Sequence, residues 1–132
     1  MPEKRNKKSA SVQGKASREK GKRFEREVAN FFKEYGVSAR RTAQFCGKTG
    51  QAGDVEGVPG VHIECKAVEK LNLEAAYQQS VRDAGASGKD EVPVVIHKKF
   101  RKQAMVTMAL TDWIDMYLTW QESQRAKEEW ED

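Results

Sequence analysis

Residues 53–68 read GDVEGVPGVHIECKAV, and the second half of this stretch alternates. Val61, Ile63 and Cys65 fall on one side of an extended chain, His62, Glu64 and Lys66 on the other. Gly57, Pro59 and Gly60 make a turn before it, and a brief strand over residues 54–56 precedes the turn. The predicted unit is a hairpin with one face turned to a core and the other carrying chemistry. Because strand side chains repeat every second residue, Glu64 and Lys66 project to the same side, roughly 7 Å apart along the strand. An antiparallel neighbour brings Asp54 beside them.

Two carboxylates converging at one sheet end repel strongly unless something neutralises them. A hard divalent cation is the simplest remedy. Mg2+, with Mn2+ as the alternative ion, takes carboxylate and carbonyl oxygens while keeping several waters, one of which can act as a nucleophile. Lys66 then faces that water and the reacting phosphate. Cys65 reads as a small core residue whose backbone carbonyl is available as a metal ligand. The bland alternative is a surface strand with Glu64 and Lys66 as an ordinary ion pair and Asp54 as a turn former. Ile63 and Cys65, which mark a half-buried strand, and Gly53, which fits a bend presenting the carboxylate, weigh against it. His62 is read as a surface residue on the polar face. Zinc is not expected from Cys46, His62 and Cys65, because no C-x-x-C or H-x-x-x-H pair accompanies them. No organic cofactor is implied.

Around this hairpin the pattern changes period. Ser17 is a candidate N-cap for a helix with the stripe Phe24, Val28, Phe31, Phe32 and Tyr35, stopped at Gly36. A short strand over residues 37–42 and the glycine loop FCGKTGQAG (45–53) lead into the hairpin. A second helix over residues 73–84 follows, then strands over 92–98 and 104–110 joined by KKFRKQ (98–103). Thr111 caps a last helix whose Trp113, Ile114, Tyr117, Leu118 and Trp120 are expected to pack on the core. The order α β β β α β β α predicts a single α/β domain, a mixed sheet flanked by helices. With 132 residues, a second full core does not fit.

Charge is segregated. Residues 1–23 hold nine Lys/Arg against two Glu, a local +7, so the rest of the chain sums to −3 within the total of +4. Residues 1–16 lack apolar periodicity and read as a disordered basic arm, residues 17–120 as the domain and 121–132 as an acidic tail. A cationic arm gains affinity for a polyanion by releasing condensed counterions, so nucleic acid is the natural partner; a solubilising tail is the alternative for such a stretch alone. No apolar run approaches the roughly 20 residues of a membrane span, and the polar N-terminus is unlike a secretory signal. A cytoplasmic protein with two free thiols is expected.

The segments GKRFEREVANFFKEYG (21–36), GDVEG (53–57), VHIECKAV (61–68), AYQQSVRDAG (76–85) and PVVIHKK (93–99) resemble the PD-(D/E)xK nuclease superfamily. Within it they are most similar to the small Holliday junction resolvases of archaeal type and their phage-encoded relatives. The resemblance implies a restriction-endonuclease-like fold and metal-dependent hydrolysis of a DNA phosphodiester. It places a helix glutamate at Glu25, four residues after Gly21, the strand aspartate at Asp54, the E-x-K pair at Glu64 and Lys66, and a helix glutamine at Gln79 or Gln78. Asp54, Glu64, the Cys65 carbonyl and Glu25 would then be the metal ligands. Periodicity alone leaves Glu25 and Glu27 flanking the apolar stripe symmetrically; the Gly21 spacing favours Glu25. Gly53 stands where the family name has Pro. Lys20, Lys22, Arg23, Arg40, Arg41, Lys48, Lys98, Lys99, Arg101 and Lys102 are expected along the DNA path. Paired nicks in a four-way junction by a domain with one site imply a two-fold homodimer. A nuclease for other branched or duplex DNA, and a non-catalytic DNA-binding module on the same fold, are the competing readings.

Overall fold

The structure, a computed structural model, describes residues 2–43 and 52–131. Cys46, Lys48 and most of the glycine loop lie outside the described residues. Among those described, the elements follow the expected order: α1 (Pro2–Glu34), β1 (Arg40–Arg41), β2 (Val55–Glu56), β3 (Val61–Lys66), α2 (Leu73–Ala86), β4 (Val92–His97), β5 (Met105–Thr107) and α3 (Leu110–Glu131). The strands form one mixed sheet in the order β1-β2-β3-β4-β5. Neighbours are antiparallel except for the central pair, where β3 and β4 run parallel from Val61 opposite Val92 to Lys66 opposite His97. Parallel strands need a crossover, and α2 supplies it. Asn72 caps that helix by accepting a hydrogen bond from the Ala75 N–H at 3.1 Å.

The two faces of β3 have different covers. Ile63 and Cys65 join Val94, Ile96, Val55, Phe24, Val28 and Ala29 in one core beneath α1. The alternate residues point to the other face, where α2 buries Ala76, Ser80 and Ala84 against β3 and β4. Buried Ser80 is satisfied there by donating to the Val94 carbonyl at 3.0 Å. The expectation that His62 is a surface residue is therefore corrected: a strand paired in parallel and covered by its own crossover is buried on both sides. His62 is 2% exposed and Glu64 4%.

Helices extend further than their apolar stripes. α1 starts at Pro2 rather than at Ser17, so the basic segment forms its first turns; Lys, Arg, Glu, Gln and Ala propagate a helix at little cost once it is nucleated. For the same reason α3 runs on through the acidic stretch to Glu131. Its apolar residues do not pack on the core as expected. Trp113, Ile114, Tyr117, Leu118 and Trp120 are each more than a third exposed, and the helix barely touches the other elements. In α1, Phe24, Val28 and Phe32 face the core, whereas Phe31 and Tyr35 are exposed and pack on each other with ring centroids 5.1 Å apart. The groove beside Phe31 continues to Met105 and Val106, an apolar cavity of about 540 Å³. No helix among the described residues is long and apolar enough to cross a membrane.

Two glycines hold the hairpin in place. A Cβ on Gly53 would lie 2.5 Å from the Ile63 carbonyl oxygen, because β2 enters against β3 at that point. Gly57 has a φ of +87°, and a Cβ there would run into the Ser38 carbonyl. Gly57→Ala is expected to destabilise the fold by roughly 2 kcal/mol through backbone strain and this clash, read as a lower urea midpoint. An unchanged midpoint would show that the turn accommodates a side chain.

Candidate active site

The site grows from the β2–β3 pairing. Val55 sits opposite Ile63, and the Asp54 N–H donates to the Ile63 carbonyl at 2.7 Å, so Asp54 continues the ladder by one residue. On its other side the Thr42 N–H donates to the Asp54 carbonyl at 3.0 Å and the Thr42 hydroxyl to the Gly53 carbonyl at 2.5 Å. With its backbone fixed from both directions, Asp54 turns its carboxylate along β3. There Oδ2 accepts a hydrogen bond from the Cys65 N–H at 2.8 Å. The Cys65 thiol itself lies in the core, where burial raises its pKa.

Glu64 comes from the α2 side and lies near enough to Asp54 to feel its charge. Burial, reinforced by the charge of Asp54, pushes the Glu64 carboxyl up to about 7, against the opposing pull of His62. His62 Nε2 lies 3.0 Å from Glu64 Oε1, and His62 Nδ1 lies 3.9 Å from Glu91 Oε1. The bond to Glu64 raises the His62 pKa despite burial. Asp83 approaches the same pair from α2: the donor atoms of His62, Glu64 and Asp83 all lie within 4.8 Å of one another.

Glu25 is brought to the third side by α1. Its Oε2 accepts a hydrogen bond from Arg41 Nε at 2.7 Å, and burial together with the charge of Asp54 raises its pKa while Arg41 opposes the rise. Glu27 is separated from it by exposure: its side chain is 54% exposed and 3.9 Å from Lys98, against 14% for Glu25. Glu25 thus lies on the side of Arg41 and Glu27 on the side of Lys98. The charge of Asp54 acts on both Glu64 and Glu25, while Arg41 holds Glu25. Lys66 ends β3 half-buried and forms no ion pair with a described residue. Gln79 is half-buried and one helical turn before Asp83, whereas Gln78 is exposed.

The expected cations divide. Arg41 is committed to Glu25, and Arg40 to Glu56 at 2.7 Å. Lys22 lies 3.9 Å from Glu19. Lys20 and Arg23 of α1 share one cleft with Lys98, Lys99 and Arg101, and Lys102 is exposed nearby in sequence. Sequence reasoning placed His62 on the correct face but missed its burial, and it passed over Asp83. The signal for Asp83 was its spacing of four residues from Gln79, which puts both on one row of α2.

A family model described as "Phage putative PDDEXK endonuclease" matches residues 16–131. The chain belongs to this family. Among solved structures it is similar to that of Archaeoglobus fulgidus Hjc, a Holliday junction resolvase from an archaeal hyperthermophile, with a TM-score of 0.50 and 22% identity. The similarity covers 67% of this chain and 76% of that one, and it extends to the restriction-endonuclease-like fold. No curated protein matches the chain.

The site has a consequence for stability. Glu64, Glu25 and His62 all hold protons more tightly in the folded chain than in the unfolded one. Because the folded state then binds more protons, metal-free protein loses stability as pH rises from about 4.5 through about 7. His97, whose pKa is lowered by burial, acts in the opposite sense. The urea midpoint in chelator is expected to be lower at pH 7.5 than at pH 5, with the fall reduced in Glu64→Gln. A midpoint that rises over this interval, or falls equally in the variant, would contradict the assignment.

Proposed function

We propose that this endonuclease is a divalent-metal-dependent hydrolase of DNA phosphodiesters, acting on four-way junctions as a homodimer. The observation that carries the reading is Asp54 laid along β3 with its Oδ2 on the Cys65 N–H, next to the buried Glu64. The donor set fits a hard cation. Burial and the charge of Asp54 push the Glu64 carboxyl up to about 7 even with His62 opposing, and a dication would favour its ionised form. Asp54, Glu64 and the Cys65 carbonyl would hold Mg2+ or Mn2+, with Glu25 completing the set directly or through a water. A bound dication supplies Lewis-acid stabilisation of charge developing on the phosphoryl oxygens.

The chain's own residues do the rest. The Cys65 N–H and the β2–β3 ladder orient Asp54, while His62 orients Glu64. Lys66 positions the attacking water and favours loss of its proton, and Gln79 borders the site from α2. The water oxygen bonds to phosphorus in line with the departing ester oxygen, whose bond to phosphorus breaks. Lys20, Arg23, Lys98, Lys99 and Arg101 bind the phosphate backbone, and the basic first turns of α1 add to the attraction for a polyanion.

The decisive assay uses labelled four-way junction, flap and linear duplex with Mg2+. Paired symmetric nicks in the junction are expected from the native chain, and cleavage at background from Asp54→Asn and Glu64→Gln with binding retained. Cleavage surviving both substitutions ends the site assignment; equal cutting of every substrate replaces the junction reading with a general nuclease, and binding without cleavage with a DNA-binding module.

The exposed stripe of α3 and the groove at Phe31, Met105 and Val106 are the surface we assign to the dimer, since apolar area of this extent is seldom left to solvent. Light scattering is expected to give twice the chain mass, reverting to the monomer in Ile114→Glu. A monomeric native chain would require another route to paired nicks.

A further inference from the structure

The connection between β4 and β5 places an aromatic ring among cations. Phe100 is 63% exposed and follows Lys98 and Lys99 directly. A single exposed phenylalanine carries little meaning by itself, but this one is built in from three sides. Its N–H donates to both carboxylate oxygens of Glu69, each at 3.1 Å, which ties the tip to the segment between β3 and α2. The Arg101 guanidinium carbon lies 5.1 Å from the ring centroid. Arg101 also adopts a left-handed backbone with φ of 58°, the one non-glycine among the described residues with positive φ. That conformation costs roughly 1 kcal/mol for an L residue, and here it accompanies the placement of the guanidinium over the ring. The tip faces α1 across a cleft of about 260 Å³ where Lys20, Arg23, Lys99 and Arg101 join Lys98, which lies 3.9 Å from Glu27.

A polycationic cleft with one anchored aromatic face matches a polyanion that also carries planar faces. Groups that bind unpaired nucleotides combine these two features, the cations tracking the backbone and the ring stacking on a base. Paired bases within a duplex bury their faces against one another, so the fitting ligand is a base already released from its stack. We propose that Phe100 is a stacking platform for an unpaired base at a branch or single-stranded segment of DNA, with Arg101 closing the far face of the ring. This rests on the nucleic-acid reading of the chain and adds to it a residue that selects branched over continuous DNA.

Binding in chelator, without cleavage, tests it with the full chain and two DNAs: a four-way junction carrying 2-aminopurine at the branch point, and a duplex of the same sequence. Phe100→Ala is expected to weaken junction binding about tenfold, leaving duplex affinity and the salt dependence of binding unchanged because no phosphate contact is lost. Phe100→Trp is expected to retain both affinity and the 2-aminopurine response, which Phe100→Ala loses. Phe100→Leu, which keeps apolar volume without an aromatic face, is expected to behave as Phe100→Ala and serves if the alanine variant does not fold. Native protein that binds neither DNA overturns the nucleic-acid reading itself. Native protein that binds the junction no more tightly than the leucine variant overturns this inference alone, as does an equal loss on junction and duplex.

Discussion

The short approach of β2 to β3 at Gly53 and Asp54 governs the chemistry of this domain. It commits the Asp54 backbone to hydrogen bonds on both sides, so its carboxylate has one direction left to take, along β3 toward the Cys65 N–H. That direction leads to Glu64. There the charge of Asp54 adds to burial in raising the Glu64 pKa. A dication held there would favour the ionised carboxylate.

The surroundings of this pair differ on its two sides. Toward α1, Arg41 balances Glu25 through a half-buried ion pair. Toward α2, His62 and Asp83 close on Glu64 in the interior, where each unsatisfied polar atom is costly. Glu64 is therefore held from behind by imidazole, with the charge of Asp54 in front. Its orientation is set by the parallel β3–β4 pair and the helix that crosses over it, the most deeply buried part of the fold.

Much of this was legible in the chain. The alternation of residues 61–66, the turn glycines and the helix stripe at Phe24 and Val28 reproduce the order of elements, and the strand alternation and turn bring Asp54 and Glu64 to adjoining strands. What was not legible depends on non-local cover. Alternation says that His62 faces away from the α1 core but not that a second helix lies there. The stripe on α1 did not show that Phe31 and Tyr35 outrun the sheet, nor did that of α3 show that the helix finds no core to join. Helix lengths were underestimated at both ends because the charged flanks contain strong helix formers, whose contribution is invisible to apolar periodicity. Glu25 and Glu27 were separable only once the positions of Arg41 and Lys98 were known.

Gly53 deserves a last remark, since proline occupies the corresponding place in the motif that names the superfamily. In this chain the position has room for neither a ring nor a methyl group, for the Ile63 peptide already fills that space. Grafting the commoner residue into this protein would push the second strand away from the third and displace the aspartate that follows it.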